Sequence, residues 1–129
     1  MQGITTSMQW LVQLHPSFEA EFLDLPLAAQ DELLAKTLLL QVSDPNLRRP
    51  HVDTLNGSRH RNMKEIRFNA ADGVWRVAFA FDPKRRAILL VAGDKSGVSQ
   101  RQFYKQLITK ADLRFDEHLS RLEIDENDN

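Results

Sequence analysis

Four charged side chains near the middle of this 129-residue chain, Arg61, Glu65, Arg67 and Arg76, have the spacing that gathers charge on one face of a sheet. From Arg61 to Asn69 polar and apolar residues alternate, so Arg61, Met63, Glu65 and Arg67 share one strand face and Ile66 and Phe68 the other. In the next run, Val74 to Phe81, Arg76 falls with Val74, Ala78 and Ala80, opposite Trp75, Val77, Phe79 and Phe81. A turn at Ala70-Ala71-Asp72-Gly73 folds one run back on the other, which brings Glu65, Arg67 and Arg76 to a common sheet face. The group reads as a shallow basic floor. The plainer alternative is a cross-strand Glu65–Arg76 ion pair on a solvated sheet, a contact worth only ~0–1 kcal/mol. His60 lies beside the floor and is of a residue type that exchanges protons near neutral pH.

Several elements must position these residues. Gln9 to Leu14 alternates as a strand, with Trp10, Val12 and Leu14 on one face. His15-Pro16 breaks it, and Ser17 precedes a short helix carrying Phe18, Phe22 and Leu25. Pro26 suits the first position of a second helix over Leu27 to Val42, whose Leu33, Leu34, Thr37, Leu38 and Val42 form a broad apolar stripe. Residues 44–59, rich in Pro, Arg, Asn and Gly, read as an exposed loop. Three strands follow, Arg61 to Asn69, Val74 to Phe81 and Arg86 to Ala92, joined by short turns as an antiparallel meander. Ser99, with Gln102 three residues on, caps a last helix from Gln100 to about Leu122, with Phe103, Leu107, Ala111, Phe115 and Leu119 on one face. The expected class is α+β in the order β-α-α-β-β-β-α, the helices packing on the aromatic face of the meander. Residues 1–7 read as a flexible leader, 8–122 as the domain and 123–129 as an acidic tail.

Composition narrows the chemistry. Hydrophobic residues make up 42% and charged residues 27%, an ordinary globular mix. The absence of cysteine removes disulfides, thiolate nucleophiles and cysteine-bound zinc. The four histidines are scattered, so neither a metal nor another cofactor is expected. No apolar run approaches a membrane span, and MQGITTSMQW lacks the form of a secretory signal, which points to the cytoplasm. The net charge of -1 hides a polarity. Residues 1–43 carry one Lys/Arg against five Asp/Glu, residues 44–110 fourteen against six, and residues 111–129 two against seven. Only the middle segment attracts polyphosphate.

The string Asn62-Met63-Lys64-Glu65-Ile66-Arg67, then Asp72 to Phe79 (DGVWRVAF), Ile88 to Val91 and Gly93-Asp94-Lys95, resembles the RelE/HigB superfamily. These are toxins of type II toxin–antitoxin modules, and the match is to the phage-derived HigB-like branch. Leu55-Asn56-Gly57 stands where the family has LxG, and Tyr104 where a Tyr opens the final helix. The resemblance covers roughly Trp10 to Leu122. It implies a RelE-like fold and metal-independent, ribosome-dependent mRNA cleavage by attack of a ribose 2′-OH on the adjacent phosphate. It further implies that Arg76 holds the phosphate, that Arg67 and Lys95 add charge, that Tyr104 stacks on a base or relays a proton, and that Glu65 is the candidate base. Arg48, Arg49, Arg59, His60 and Arg61 are expected to meet RNA, His51 to be surface or RNA-contacting, and His15 and His118 to be structural. The implied partners are a cognate antitoxin of helix-turn-helix type, the ribosome and mRNA, with operator DNA reached only through the antitoxin complex and no membrane. The superfamily also holds DNA gyrase inhibitors, and a non-catalytic antitoxin- and operator-binding regulator is a further reading; Glu65, Arg67, Arg76, Lys95 and Tyr104 together favour the nuclease.

Overall fold

A computed structural model describes residues 11–43 and 51–127; the leader, Trp10, Arg48 and Arg49 lie outside them. In chain order the elements are β1 (Leu11–Leu14), α1 (Pro16–Phe22), α2 (Leu27–Ser43), β2 (Val52–Thr54), β3 (Met63–Ala70), β4 (Gly73–Phe81), β5 (Arg86–Asp94) and α3 (Gln100–Asn127). The strands form one sheet in the order β1-β5-β4-β3-β2, with β1 parallel to β5 and the other pairs antiparallel. The α+β class and the meander are as the sequence implies. One strand is additional, because β2 falls in the expected loop. Three residues are too few to register as alternation, yet Val52 and Leu55 are buried.

Two turns set the meander. Ala71 and Asp72 both take positive φ, 50° and 59°, which makes the two-residue turn whose twist suits a hairpin. After β4, Asp82 Oδ1 accepts from the backbone N–H groups of Lys84 at 2.9 Å and Arg86 at 3.0 Å, which closes the second turn. The Asp82 carboxylate also accepts from Arg86 Nε at 2.9 Å and His118 Nε2 at 2.8 Å, tying the turn to α3. His118 is thus structural, as expected, and so is His15. The Nδ1 of His15 accepts from Ser17 N at 3.0 Å and its Nε2 meets Glu117 at 3.0 Å, so His15 caps α1. Pro26 stands just before α2, not inside it, its carbonyl accepting from Ala29 N at 2.9 Å.

The helices do not share one face of the sheet. α1 and α2 cover Ile66, Phe68, Trp75, Val77, Phe79 and Leu89, the aromatic face as expected. α3 lies across the opposite face, where Phe103, Leu107, Ala111 and Phe115 pack on Met63, Ala78, Ala80, Ile88 and Leu90. The floor beside Glu65 is therefore roofed along most of its length. Ala78 and Ala80 are small because a helix rests on them, and both are fully buried. Alternation assigns residues to faces but does not say which faces are covered. Between Ala78 and Phe79 the register with β5 slips by one residue, so Leu90 and Val91 both turn toward α3. The broad stripe expected on α2 also divides. Leu33 and Thr37 are buried, whereas Leu34, Leu38 and Val42 face away from the core.

Candidate active site

An open part of the α3 face lies near the N-terminus of that helix, between β2, β3 and the loop after β5. Its geometry begins in the register. Asp53 of β2 stands opposite Glu65 of β3, and Glu65 opposite Ala78 of β4. One step along, Arg67 stands opposite Arg76, and Arg76 opposite Gly93 of β5. Like charges side by side on neighbouring strands repel, so Arg67 and Arg76 are tolerated only with carboxylates near both.

Gly93 is what admits α3 here. A Cβ on it would lie 2.8 Å from Cε1 of Phe103, a contact no side chain sustains. With hydrogen in that place, Phe103 settles on the sheet and Tyr104 comes down over the charged row. Ser99 fixes the start of the helix, its carbonyl accepting from Phe103 N at 2.9 Å and its Oγ from Gln102 N at 3.2 Å. The Tyr104 hydroxyl donates to Glu65 Oε1 at 2.8 Å and accepts from Arg76 Nε at 3.2 Å. It thereby bridges two groups that stand 3.8 Å apart. Arg76 also donates to the Trp75 carbonyl at 2.9 Å. Arg67 reaches Asp53 at 3.6 Å and Glu65 at 3.9 Å. Lys95 Nζ lies 6.0 Å from the centre of the Tyr104 ring, within the outer range of a cation–π contact.

These side chains surround a cleft of about 340 Å³ to which Asp53, Glu65, Arg67, Lys95, Gln100 and Tyr104 all contribute. Arg76 stands behind it, its side chain only 7% exposed against 28% for Arg67. Burial raises the proton affinity of Glu65 above that of an ordinary glutamate. The Tyr104 hydrogen bond and the charges of Arg76 and Arg67 oppose that rise, and Asp53 adds to it. Burial, then the hydrogen bond to Glu65, likewise raises Tyr104, so the phenol keeps its proton. Lys95 is lowered, first by burial and then by the neighbouring Arg76 and Arg67. The arrangement supplies a base, a phenol that holds a proton, and cations for an anionic substrate. No three His, Asp or Glu side chains converge as a metal-ligand set among the described residues.

The structure thus gathers Glu65, Arg67, Arg76, Lys95 and Tyr104 at one place. Of the expected RNA-contacting residues, it does not bring Arg59, His60 or Arg61 there. Arg59 pairs with Asp116 of α3, and its backbone N–H donates to Asp112 at 3.2 Å. His60 Nε2 meets Asp116 at 2.8 Å, and its ring stands edge-on to Phe115 at 4.9 Å. Both hold the loop before β3 onto α3. Arg61 sits exposed in the turn before β3 rather than on the strand. His51 extends the ladder, its carbonyl accepting from Arg67 N at 2.8 Å. The pairing of β3 with β4 is unbroken from Met63 to Ala70. The sequence reading missed Asp53 and Gln100. Asp53 became visible only once β2 was found to pair with β3, and no local pattern points to Gln100.

A five-stranded sheet sandwiched between an αα pair and a long C-terminal helix is the fold of a RelE-like domain. A mutant of the Escherichia coli toxin RelE in the free state has this fold, with a TM-score of 0.58 at 12% identity over 80% of this chain and 97% of that one. Residues 20–116 match the family described as phage derived protein Gp49-like (DUF891), and the chain belongs to that family, among the RelE/HigB-type toxins. It is 40% identical over 109 residues to putative toxin HigB3 of Mycobacterium tuberculosis, which covers 84% of this chain and 93% of HigB3. It is 46% identical over 86 residues to putative toxin HigB2 of the same organism, covering 66% of this chain but only 42% of HigB2. No helix among the described residues is long and apolar enough to cross a membrane.

Proposed function

We propose that this chain is the toxin of a toxin–antitoxin module and that it cleaves mRNA on the ribosome by intramolecular transesterification. In this reading the 2′-oxygen forms a bond to the adjacent phosphorus as the bond from phosphorus to the 5′-oxygen breaks. The products are a 2′,3′-cyclic phosphate and a 5′-hydroxyl. Glu65 takes the 2′-OH proton, a task for which a carboxyl with raised proton affinity is suited. Arg67 and Lys95, which line the cleft, hold the phosphate oxygens as charge builds on them. Tyr104 supplies a proton to the departing 5′-oxygen, and Arg76 orients the phenol and Glu65 from behind. No cofactor has a role in these steps. The observation that carries the proposal is the Tyr104 hydroxyl held between Glu65 and Arg76 at the wall of a cleft lined by two further cations. The expected partners are a cognate antitoxin, the ribosome and mRNA, with cytoplasmic action and operator DNA reached only through the antitoxin.

The test is to induce the chain in cells without its antitoxin and map mRNA 5′ ends within minutes. New 5′-hydroxyl ends inside translated frames, absent with Arg76→Ala, are the expected result. Growth arrest without new ends would sink the nuclease and point to another target such as gyrase. No arrest and no new ends would leave a binding module.

A further inference from the structure

The helix α2 is apolar on two opposite sides, and among the described residues only one of them is covered. Ala29, Leu33 and Leu40 are buried against the sheet. Leu27, Leu34, Leu38 and Val42 are between 53% and 76% exposed. At 3.6 residues per turn these four, with the exposed Asp31, fall within an arc of about 80° on the far side of the helix. Leu27, Asp31, Leu34 and Leu38 follow at spacings of four, three and four, and Val42 extends the row by four. That is the spacing of a seam meant to receive another helix.

The one polar residue in the row says what the other helix must carry. Asp31 has no ion-pair partner among the described residues, and the nearby Asp24 adds a second exposed carboxylate. A carboxylate buried in an apolar seam without a counter-charge costs several kcal/mol. A second copy of this chain does not meet that need. Antiparallel, two α2 seams would set Asp31 against Leu38; parallel, they would set Asp31 against Asp31. RNA is disfavoured by the same carboxylates, and so is an anionic lipid surface. The four apolar side chains expose on the order of a few hundred Å², which is large for a surface patch and short of the ~800 Å² per partner of a stable complex. The occupant must therefore contact other parts of this chain as well.

We infer that α2 is the docking seam for a helix of the cognate antitoxin, one with apolar residues at three-four spacing and a Lys or Arg placed to meet Asp31. The seam lies behind the sheet from the cleft, so this contact holds the antitoxin without occupying the active site. The inference rests on the chain's place among the toxins of toxin–antitoxin modules and not on the nuclease chemistry.

The test uses the full chain and its cognate antitoxin, with affinity read by calorimetry. Leu34→Asp combined with Leu38→Asp, both at exposed positions, should weaken binding roughly 100-fold or more, with the circular dichroism and the RNA cleavage of the free chain unchanged. Asp31→Lys should weaken binding about tenfold, and reversing one cation on the antitoxin helix should restore it. Unaltered affinity in the Leu34/Leu38 variant would overturn the inference. So would a wild-type chain that sediments alone as a dimer which the same substitutions dissociate, since a second copy would then own the seam. Because affinity is measured whether or not the chain cleaves RNA, a failed nuclease assay leaves this result intact.

Discussion

Replacing Tyr104 by Phe removes one oxygen and leaves the ring, so it isolates what the hydroxyl contributes. That oxygen donates to Glu65 at 2.8 Å and accepts from Arg76 at 3.2 Å. The two charged side chains are only 6% and 7% exposed, so water replaces the lost hydroxyl poorly. A hydrogen bond to a charged group contributes about 1.5–3 kcal/mol. If that loss falls on the transition state, the rate drops roughly 10- to 150-fold. If the phenol also gives the leaving oxygen its proton, a further factor of about 10² to 10⁴ follows. KM should change little, because Arg67, Lys95 and the aromatic ring all remain. The pH profile adds a second reading. The Tyr104 hydrogen bond opposes the burial that raises Glu65, so its loss should move the acid limb of the rate profile to higher pH. The assay is single-turnover cleavage of ribosome-bound mRNA across pH, with thermal melts to confirm folding. A variant within roughly threefold of wild type and with the same acid limb would refute the bridging role.

Gly93→Ala introduces a methyl 2.8 Å from the Phe103 ring; thermal melts should show a loss of about 1–3 kcal/mol, and cleavage should fall although no charged group is altered. Glu65→Gln should change how stability depends on pH. The folded proton affinity of Glu65 is raised, so its contribution is complete below the range of an unfolded glutamate and is lost as pH rises through the higher folded value. Melts of variant and wild type should therefore separate in the variant's favour on going from acid to neutral pH, and parallel curves would count against the shift. Asp82 works with the opposite sign. Burial pushes it up, but hydrogen bonds from His118 and Arg86 bring it below an ordinary aspartate. Its stabilisation is present above the unfolded aspartate's range and fades as pH falls through the lower folded value. Asp82→Ala should cost about 3–5 kcal/mol at neutral pH by leaving Arg86 and His118 without their partner, and should flatten the acid side of the stability curve.

β3 and β4 were legible because side-chain parity can be followed through eight or nine residues of each, and β5 because a short apolar run, Ile88 to Val91, stands between turn residues. α3 was legible from Ser99 and its apolar spacing, although it continues to Asn127, past the point where that spacing fades. What alternation could not convey was coverage. Ala78 and Ala80 looked like an open floor, and they are the seat of a helix that arrives from the end of the chain. The same blindness merged the two sides of α2 into one stripe. Glu65, Arg67 and Arg76 were readable from strand parity alone, whereas Lys95 and Tyr104 came only through the family pattern, since a loop and a helix meet the sheet through tertiary packing. Arg59 and His60 looked free because Asp112 and Asp116 lie more than fifty residues away in sequence.

The burial of Arg76 alters the division of labour that the family pattern suggests. A guanidinium fixed to the Trp75 carbonyl and the Tyr104 hydroxyl is poorly placed to follow a moving phosphate. Arg67 is better placed, because it stands between Asp53 and Glu65 at 3.6 and 3.9 Å, both longer than the ~2.7–2.9 Å of a close charged hydrogen bond. It is shared loosely by two carboxylates, and a phosphate at bonding distance would draw it away from both. In the proposed reaction this has a consequence for Glu65. When Arg67 turns to the phosphate, Glu65 loses one of the cations that lower its proton affinity and gains a neighbouring anion that raises it. Substrate binding would then increase the tendency of Glu65 to take the 2′-OH proton at the moment that proton must leave. Asp53 strengthens the same coupling, since its charge already raises Glu65 and it competes for Arg67. On this argument Arg76 and Tyr104 keep Glu65 in place, while Arg67 makes its basicity depend on whether substrate is bound.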